Sequence, residues 1–309
     1  MGPSAGVESG AAMIGVLIAA LALPVVEVPP GKTFMVLQPH HDDHTTDYGM
    51  GGLIAKLTEA GWEGWFVRAS NDEKDGAFGY PHNDMINLRE SEAATRILGM
   101  KGVYSFGWRN DYMDPIPLQE LRAQLILLLR KHRPELVLGH DPWGHYDRNP
   151  DHRKVARAMA EAVWMAGFAN VHPEHAELGL KPHRVAYLFL KARVDYGRGH
   201  HANAAVELTE SQVRKKQKAY STHRNVYASP AMARNIRQLL DKEQLTVPEL
   251  EGKTDQEAAV MIEEWYMEWI SRKRGAENKV PYAEIYWFAD EFDYIPGLRQ
   301  YLKDNVVKK

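Results

Sequence analysis

Strand-length apolar runs alternate with segments of helical periodicity, two histidine-rich loops each follow directly on a strand, and the pattern turns mainly helical after Thr209. These observations predict an α/β fold: a Rossmann-like parallel sheet flanked by helices, with a mainly helical C-terminal part.

Each element has its own warrant. After Pro29-Pro30-Gly31, Thr33 to Leu37 reads as a buried strand because its apolar run is nearly unbroken. Asp47 to Gly52 leads into a helix over Leu53 to Ala60 that stops at Gly61, and the glycines before it suit close packing of the helix start on the sheet. A strand around Trp65 to Ala69, a polar loop from Ser70 to Asn83, a helix from Asp84 to Leu98 and a strand at Val103 to Phe106 follow. Leu118 to Lys131 is amphipathic, with Leu121, Leu125, Leu128 and Leu129 on one side, and Pro134 ends it. Leu136-Val137-Leu138 is a short strand, His152 to Ala166 a helix, and Arg184 to Leu190 a further strand. Thr209 caps a helix reaching Tyr220. Helices over Ala231 to Lys242 and Asp255 to Arg274 precede a returning strand at Pro281 to Phe288. Trp265, Tyr266, Met267 and Trp269 on the second of these helices are expected to pack internally or to cover the site. In domain terms, residues 1–32 form an apolar extension, 33–200 the core, and 201–309 an extension completing the same domain.

Composition narrows the function classes. With 38 basic and 41 acidic residues the chain has a net charge of −3, so no basic excess points to nucleic acid. Residues 11–26 carry no charge, but the run is short, is broken by Pro24 and has no basic residue before it. It is therefore read as an element packing on the body of the protein, and a cytoplasmic location is expected, with export by a trimmed or atypical signal as the alternative. A homo-oligomer is compatible with the composition. The chain has no cysteine, so a metal site has to be built from histidine and carboxylate.

Such a site is suggested by Pro39-His40-His41-Asp42-Asp43-His44, where three histidines and two aspartates fill five consecutive positions after the first strand. A second loop, Gly139 to His152, contains His140, Asp141, His145, Tyr146, Asp147, Asn149 and Asp151. Functional loops of parallel sheets lie at the carboxyl ends of strands, chiefly where strand order reverses. If the first and fourth predicted strands are neighbours, the two loops meet. His40, Asp43 and His152 then form a two-histidine, one-carboxylate set with open positions, the pattern of a catalytic zinc centre. Zinc brings a water pKa toward neutrality. Asp42, beside a ligand, suits the base that takes the water's proton. Iron(II) or another divalent ion fits the same donors. Gly49-Met50-Gly51-Gly52 lacks the spacing of a dinucleotide-binding loop.

These motifs resemble those of the LmbE-like, or PIG-L, family of zinc-dependent deacetylases. The first family motif, P/A-H-P-D-D-E, corresponds to Pro39 to His44, and the second, H-P-D-H, to Asn149-Pro150-Asp151-His152. Leu88-Arg89-Glu90-Ser91-Glu92-Ala93, Trp108-Arg109-Asn110-Asp111, Arg133 to Val137 and Lys218 to His223 resemble further family segments in the same order. The likeness is good from Thr33 to Ala166 and loose beyond. It implies His40, Asp43 and His152 as metal ligands and Asp42 as general base. It also implies Arg89 and Asp111 as sugar contacts, with His223 a further candidate for the site. A helix-surface pair with Glu92 is the competing reading of Arg89, and a loop cap that of Asp111. The expected substrate is a small N-acetylglucosamine-type amino sugar.

Three positions depart from the pattern. His41 stands for the family's proline, His44 for its glutamate, and Asn149 for the first histidine of H-P-D-H. His44 reads as a partner of a ligand or as a competing ligand. Asparagine can donate a hydrogen bond but cannot take up and release a proton as an acid does, so His145, Tyr146 or His140 is expected to take a general-acid role. The His200-His201 pair is a weaker candidate. Two alternatives to N-deacetylation are a hydratase acting on an unsaturated acid and a non-catalytic sugar-binding protein.

Overall fold

The computed structural model describes residues 22–46, 49–111, 113–142, 147–191, 202–226, 231–290 and 298–306. Strand β1 (Thr33–Gln38) is followed by α1 (Gly51–Glu59), β2 (Glu63–Ser70), α2 (His82–Ile97), β3 (Gly102–Trp108), α3 (Leu118–His132), β4 (Leu136–His140) and α4 (Pro150–Met165). Then come β5 (Tyr187–Lys191), β6 (Ala204–Leu208), α5 (Glu210–Tyr220), α6 (Ala231–Glu243), α7 (Asp255–Glu277), β7 (Tyr282–Asp290) and α8 (Leu298–Asn305).

The strands form one seven-stranded sheet in the order β3-β2-β1-β4-β5-β7-β6. β1 to β5 run parallel, and β7 is antiparallel to both β5 and β6. The expected α/β architecture is therefore present. The region read as mainly helical supplies the expected strand β7, and an unexpected strand, β6, lies just before that region. Order reverses between β1 and β4, which pair directly through Phe34–Leu136 to Leu37–Gly139.

Alternation along β1 builds two cores. Phe34 and Val36 face α1, α2 and α5 together with Leu53, Leu57, Leu98 and Val213. Met35 and Leu37 face α3 and α4 together with Leu121, Leu125, Val155 and Met159. A strand covered on both faces has no polar side, which explains the continuous apolar run. A β carbon at Gly139 would lie 2.0 Å from Met159 Sδ, so the glycine lets α4 lie directly on β4. Residues 22–28 pack along the sheet edge, where Val25 bridges Ala205 and Leu23 N donates to Asn278 Oδ1 at 2.7 Å. Residues 1–21, which include most of the uncharged run, lie outside the described residues.

On α7, Met267 is fully buried, but Trp265, Tyr266 and Trp269 are 41%, 43% and 52% exposed. Internal packing of all four is thus not observed. The aromatics fall on the outer face of a long helix whose buried stripe is made of small residues, Ala258, Ala259, Ser271 and Gly275, with Met267.

A buried carboxylate ties the end of the chain to the first motif. Glu284 of β7 accepts from the backbone N–H groups of Gly52 and Leu53 at 3.1 and 2.9 Å, from Lys216 Nζ at 2.9 Å and from Tyr286 Oη at 2.5 Å. It thereby fills two of the unpaired amides at the start of α1, where negative charge is favoured. A β carbon at Gly52 would sit 3.0 Å from this carboxylate and 2.3 Å from Leu208, so only glycine fits. Burial alone would raise the Glu284 carboxyl, but Lys216 and Lys191 hold it below its ordinary value of 4.5. A lowered folded-state pKa contributes stability that is fully present above the unfolded value and is lost as pH falls through the folded one. Replacing Glu284 by Gln should destabilise the protein by about 3–5 kcal/mol at neutral pH, since it removes the carboxylate from a buried ion pair and from two helix-start amides. Denaturant melts should show the gap to wild type closing as pH drops below about 4.5.

Candidate metal centre

The crevice between β1 and β4 brings the two motif loops together. His40, Asp42 and Asp43 lie in the turn after β1, which is closed by Thr45 N and Thr46 N donating to Asp42 O at 2.8 and 3.2 Å. The His40 backbone N–H donates to Asp43 Oδ2 at 2.8 Å, aiming that carboxylate. His152 sits in the first turn of α4, whose start is set by Pro150 and by the Asn149 side chain accepting from Asp151 N at 2.8 Å.

Three donor atoms converge. His40 Nδ1 lies 3.1 Å from His152 Nε2 and 3.3 Å from Asp43 Oδ2, and His152 Nε2 lies 3.3 Å from Asp43 Oδ1. A tetrahedral zinc with bonds of about 2.0–2.2 Å holds its ligand atoms about 3.3–3.6 Å apart. The donor set thus matches such an ion in type and, within a few tenths of an ångström, in spacing. Each imidazole is oriented through its other nitrogen. Asp147 Oδ2 is 2.8 Å from His152 Nδ1, and Asp151 Oδ2 is 3.4 Å from His40 Nε2. A carboxylate behind each ring fixes its tautomer and raises its basicity.

Electrostatics follow from this packing. Burial opposes charge on His152, but Asp43 and Asp147 outweigh it and lift the imidazole to about 9. Asp43 and Asp151 likewise raise His40 against its burial. Burial would raise the Asp43 carboxyl, but His152 and His40 hold it well below the usual range. Asp42 goes the other way, pushed up by burial and by the charge of Asp43, although His41 opposes the shift.

A cavity of about 320 Å³ opens beside the triad. It is lined by His40, Asp42, Asp43, His152, Asp75, Asn110, Asp111, Asp147, Arg148, Asn149 and Val226, so ten of the eleven described wall residues are polar. Asp111 is held on the rim with φ +58° by its N–H, which donates to Asp151 Oδ2 at 2.5 Å. Asp75, which burial and Asp72 push up to about 6 although His40 opposes them, and Arg148 also line the cavity; neither was singled out from the sequence. Both lie in polar loops, where sequence alone does not tell which side chain turns inward.

The remaining candidates are distributed differently. Asn149 reaches the cavity, but its oxygen is committed to capping α4. Arg89 lies exposed on α2 and is absent from the cavity wall, because its helical position turns it outward. His223 is fully buried beside His41, ring centroids 5.2 Å apart, and is also absent from the wall. His140 stacks on His152 at 4.4 Å, with its pKa driven down to about 3 by burial and by His152. His44 stacks on Phe66 at 3.9 Å, is lowered to about 3 by burial and does not join the triad. His145, Tyr146 and the His200-His201 pair lie outside the described residues.

Residues 35–163 match the family described as PIG-L, GlcNAc-PI de-N-acetylase. Over 157 residues the chain is 30% identical to a diacetylchitobiose deacetylase from Thermococcus kodakarensis, covering 50% of this chain and 57% of that protein. The chain thus spans little more than half the length of that relative. It is 29% identical over 166 residues to a probable N-acetyl-α-D-glucosaminyl L-malate deacetylase 2 from Bacillus anthracis, covering 48% of this chain and 70% of that protein. The fold is shared with N,N′-diacetylchitobiose deacetylase from Pyrococcus horikoshii, with a TM-score of 0.65 at 24% identity over 87% of this chain and 88% of that chain.

Two measurements probe the centre. Asp147→Asn should weaken zinc binding by about 10–100-fold in competition with a chelating dye, with little loss of helix content. Because His152 titrates near 9 in the metal-free state, zinc uptake at about pH 7 should release protons, and affinity should climb with pH until that group is neutral. Titration calorimetry in buffers of different ionisation enthalpy would read the proton count.

Proposed function

We propose that the protein is a metal-dependent amide hydrolase that removes the N-acetyl group from an N-acetylglucosamine-type amino sugar. The observation that carries this reading is the convergence of His40 Nδ1, His152 Nε2 and the Asp43 carboxylate on one wall of a polar cavity that Asp42 also lines. These three residues would hold the ion, for which zinc is the best match to two imidazoles and a carboxylate, with iron(II) next. When bound, the ion supplies a Lewis acid that acidifies water and polarises an acyl oxygen.

The chain's own groups supply the rest. Asp42, whose carboxyl is raised by burial and by Asp43, accepts a proton from the attacking water and returns it to the departing amine. Asn149 has its oxygen turned to the helix start, which leaves Nδ2 to donate to the developing oxyanion. Asn110, Asp111, Asp75 and Arg148 supply donors and acceptors suited to sugar hydroxyls. Asp75, pushed up to about 6 against the opposing charge of His40, is a second cavity carboxyl able to exchange a proton near neutrality.

Charge separates this reading from hydration of an unsaturated diacid. Among the described residues five acidic side chains, those of Asp42, Asp43, Asp75, Asp111 and Asp147, line the cavity against one guanidinium, that of Arg148. That wall suits an uncharged amide and repels a dianion. The deacetylases among the relatives are in keeping with this choice.

Acetate release from N-acetylglucosamine and its short oligomers should stop on chelation and return with zinc. Asp42→Asn should lower kcat by about 10²–10⁴-fold while zinc binding persists. Full activity in that variant would remove Asp42 from its role. Water addition to an unsaturated diacid without any acetate release would favour the hydratase reading.

A further inference from the structure

The two histidines that leave the family pattern in the first motif do not face the cavity. His41 and His44 are both fully buried, as is His223, and among the described residues five of their six ring nitrogens have no hydrogen-bond or ion-pair partner, the exception being His41 Nδ1, which faces Asp72. A buried polar atom without a partner costs about 1–3 kcal/mol, and such atoms normally mark water, strain or a ligand. His44 stacks on Phe66. His41 and His223 instead meet edge to face, with centroids 5.2 Å apart and an interplanar angle of 74°.

A third donor stands beside them. His41, Glu90 and His223 each offer a ligand atom within 4.8 Å of the other two. Glu90 comes from α2, where its carboxylate is held by the Asn225 backbone N–H at 3.1 and 3.2 Å. His41 is placed by Ser91 Oγ, which donates to its carbonyl at 3.0 Å, and its Nδ1 lies 3.5 Å from Asp72 Oδ2. With Nδ1 turned to that carboxylate, Nε2 is the nitrogen left for a ligand. The same arrangement of carboxylate behind imidazole orients the histidines of the first centre. The segment bearing His223 is tied to α2 as well, through Thr222 Oγ1 to Glu90 O at 3.3 Å and Asn225 Nδ2 to Asn87 Oδ1 at 2.8 Å. The donors are therefore preorganised by three separate parts of the chain.

We propose that His41, Glu90 and His223 form a second divalent-metal site, of the zinc class, that clamps the first motif loop to α2 and to the segment after α5. Two imidazoles and one carboxylate select a borderline ion over magnesium or calcium, which prefer all-oxygen shells. None of the three residues lines the cavity, so the ion is structural and takes no part in turnover. The proposal stands apart from the assignment of the first centre, since the two sites share no ligand.

The test counts ions. Full-length protein is freed of metal by chelation, loaded with zinc, passed through a desalting column and analysed for metal per chain. Wild type should hold two zinc ions. His223→Gln and Glu90→Gln should each hold one, as should the first-centre variant His152→Gln, and His152→Gln combined with Glu90→Gln should hold none. Circular dichroism establishes that each variant folds. Glu90 is only half-buried, so Glu90→Gln decides the matter should His223→Gln fail to fold. The proposal is overturned if folded Glu90→Gln retains the wild-type number of ions, or if wild type holds a single ion that His152→Gln loses. A single ion that survives in His152→Gln but not in Glu90→Gln would uphold the second site and sink the first.

Discussion

Hydrogen bonding between β1 and β4 is the constraint on which the candidate centre depends. His40 and His152 are 112 residues apart in sequence, yet their ring nitrogens come within 3.1 Å. No contact between the loops themselves would hold that distance. The parallel pairing of Phe34 to Leu37 with Leu136 to Gly139 does, because the rise of each strand fixes where its loop begins. Two apolar cores then keep the strands in register from either face. The polar cluster at the strand ends is thus supported by hydrophobic burial rather than by its own attractions.

That cluster is electrostatically self-consistent only as a whole. Asp43, Asp147 and Asp151 surround two imidazoles, each carboxylate meeting a different nitrogen or edge. Removing a single member would leave a buried charge or a mis-set tautomer. A proton and a metal ion compete for the same electron pairs here. The groups that raise the basicity of His152 therefore also strengthen it as a ligand. Asp42 sits next to this set but is biased toward its neutral form by burial and by Asp43, a contrast between adjacent carboxyls that suits one to binding and the other to proton transfer.

Much of this was legible in the residues. The alternation of elements, the strand-end position of both loops and the triad His40, Asp43 and His152 could be read directly, because periodicity and ligand chemistry are local properties. Thr209 was readable as a cap, and it forms a full capping box with Gln212. Strand β6 was not readable, since Ala-Ala-Val-Glu-Leu suits a helix as well as a strand and only pairing with β7 decides it. Arg89 was carried over from a motif, but its helical phase turns it to solvent. Among Asp72, Glu73 and Asp75, one loop supplies a buried partner for Arg68, a partner for Arg109 and a cavity wall residue, and nothing in the loop's composition separates these fates. His41 and His44 were conspicuous for the right reason, their departure from the pattern, but facing away from the cavity is a property of the tertiary structure.

The reach of Glu284 has a further consequence for how the chain must come together. The amides it satisfies belong to Gly52 and Leu53, more than 230 residues earlier. During synthesis the first motif and its helix emerge long before the carboxylate that completes them, so the start of α1 stays unfinished until β7 has left the ribosome and inserted between β5 and β6. The stretch that matches the family, residues 35–163, does not contain the carboxylate that completes the start of α1. Excised alone it would lack the three strands on one side of β4, leave that strand as an exposed edge and leave the start of α1 without the Glu284 carboxylate.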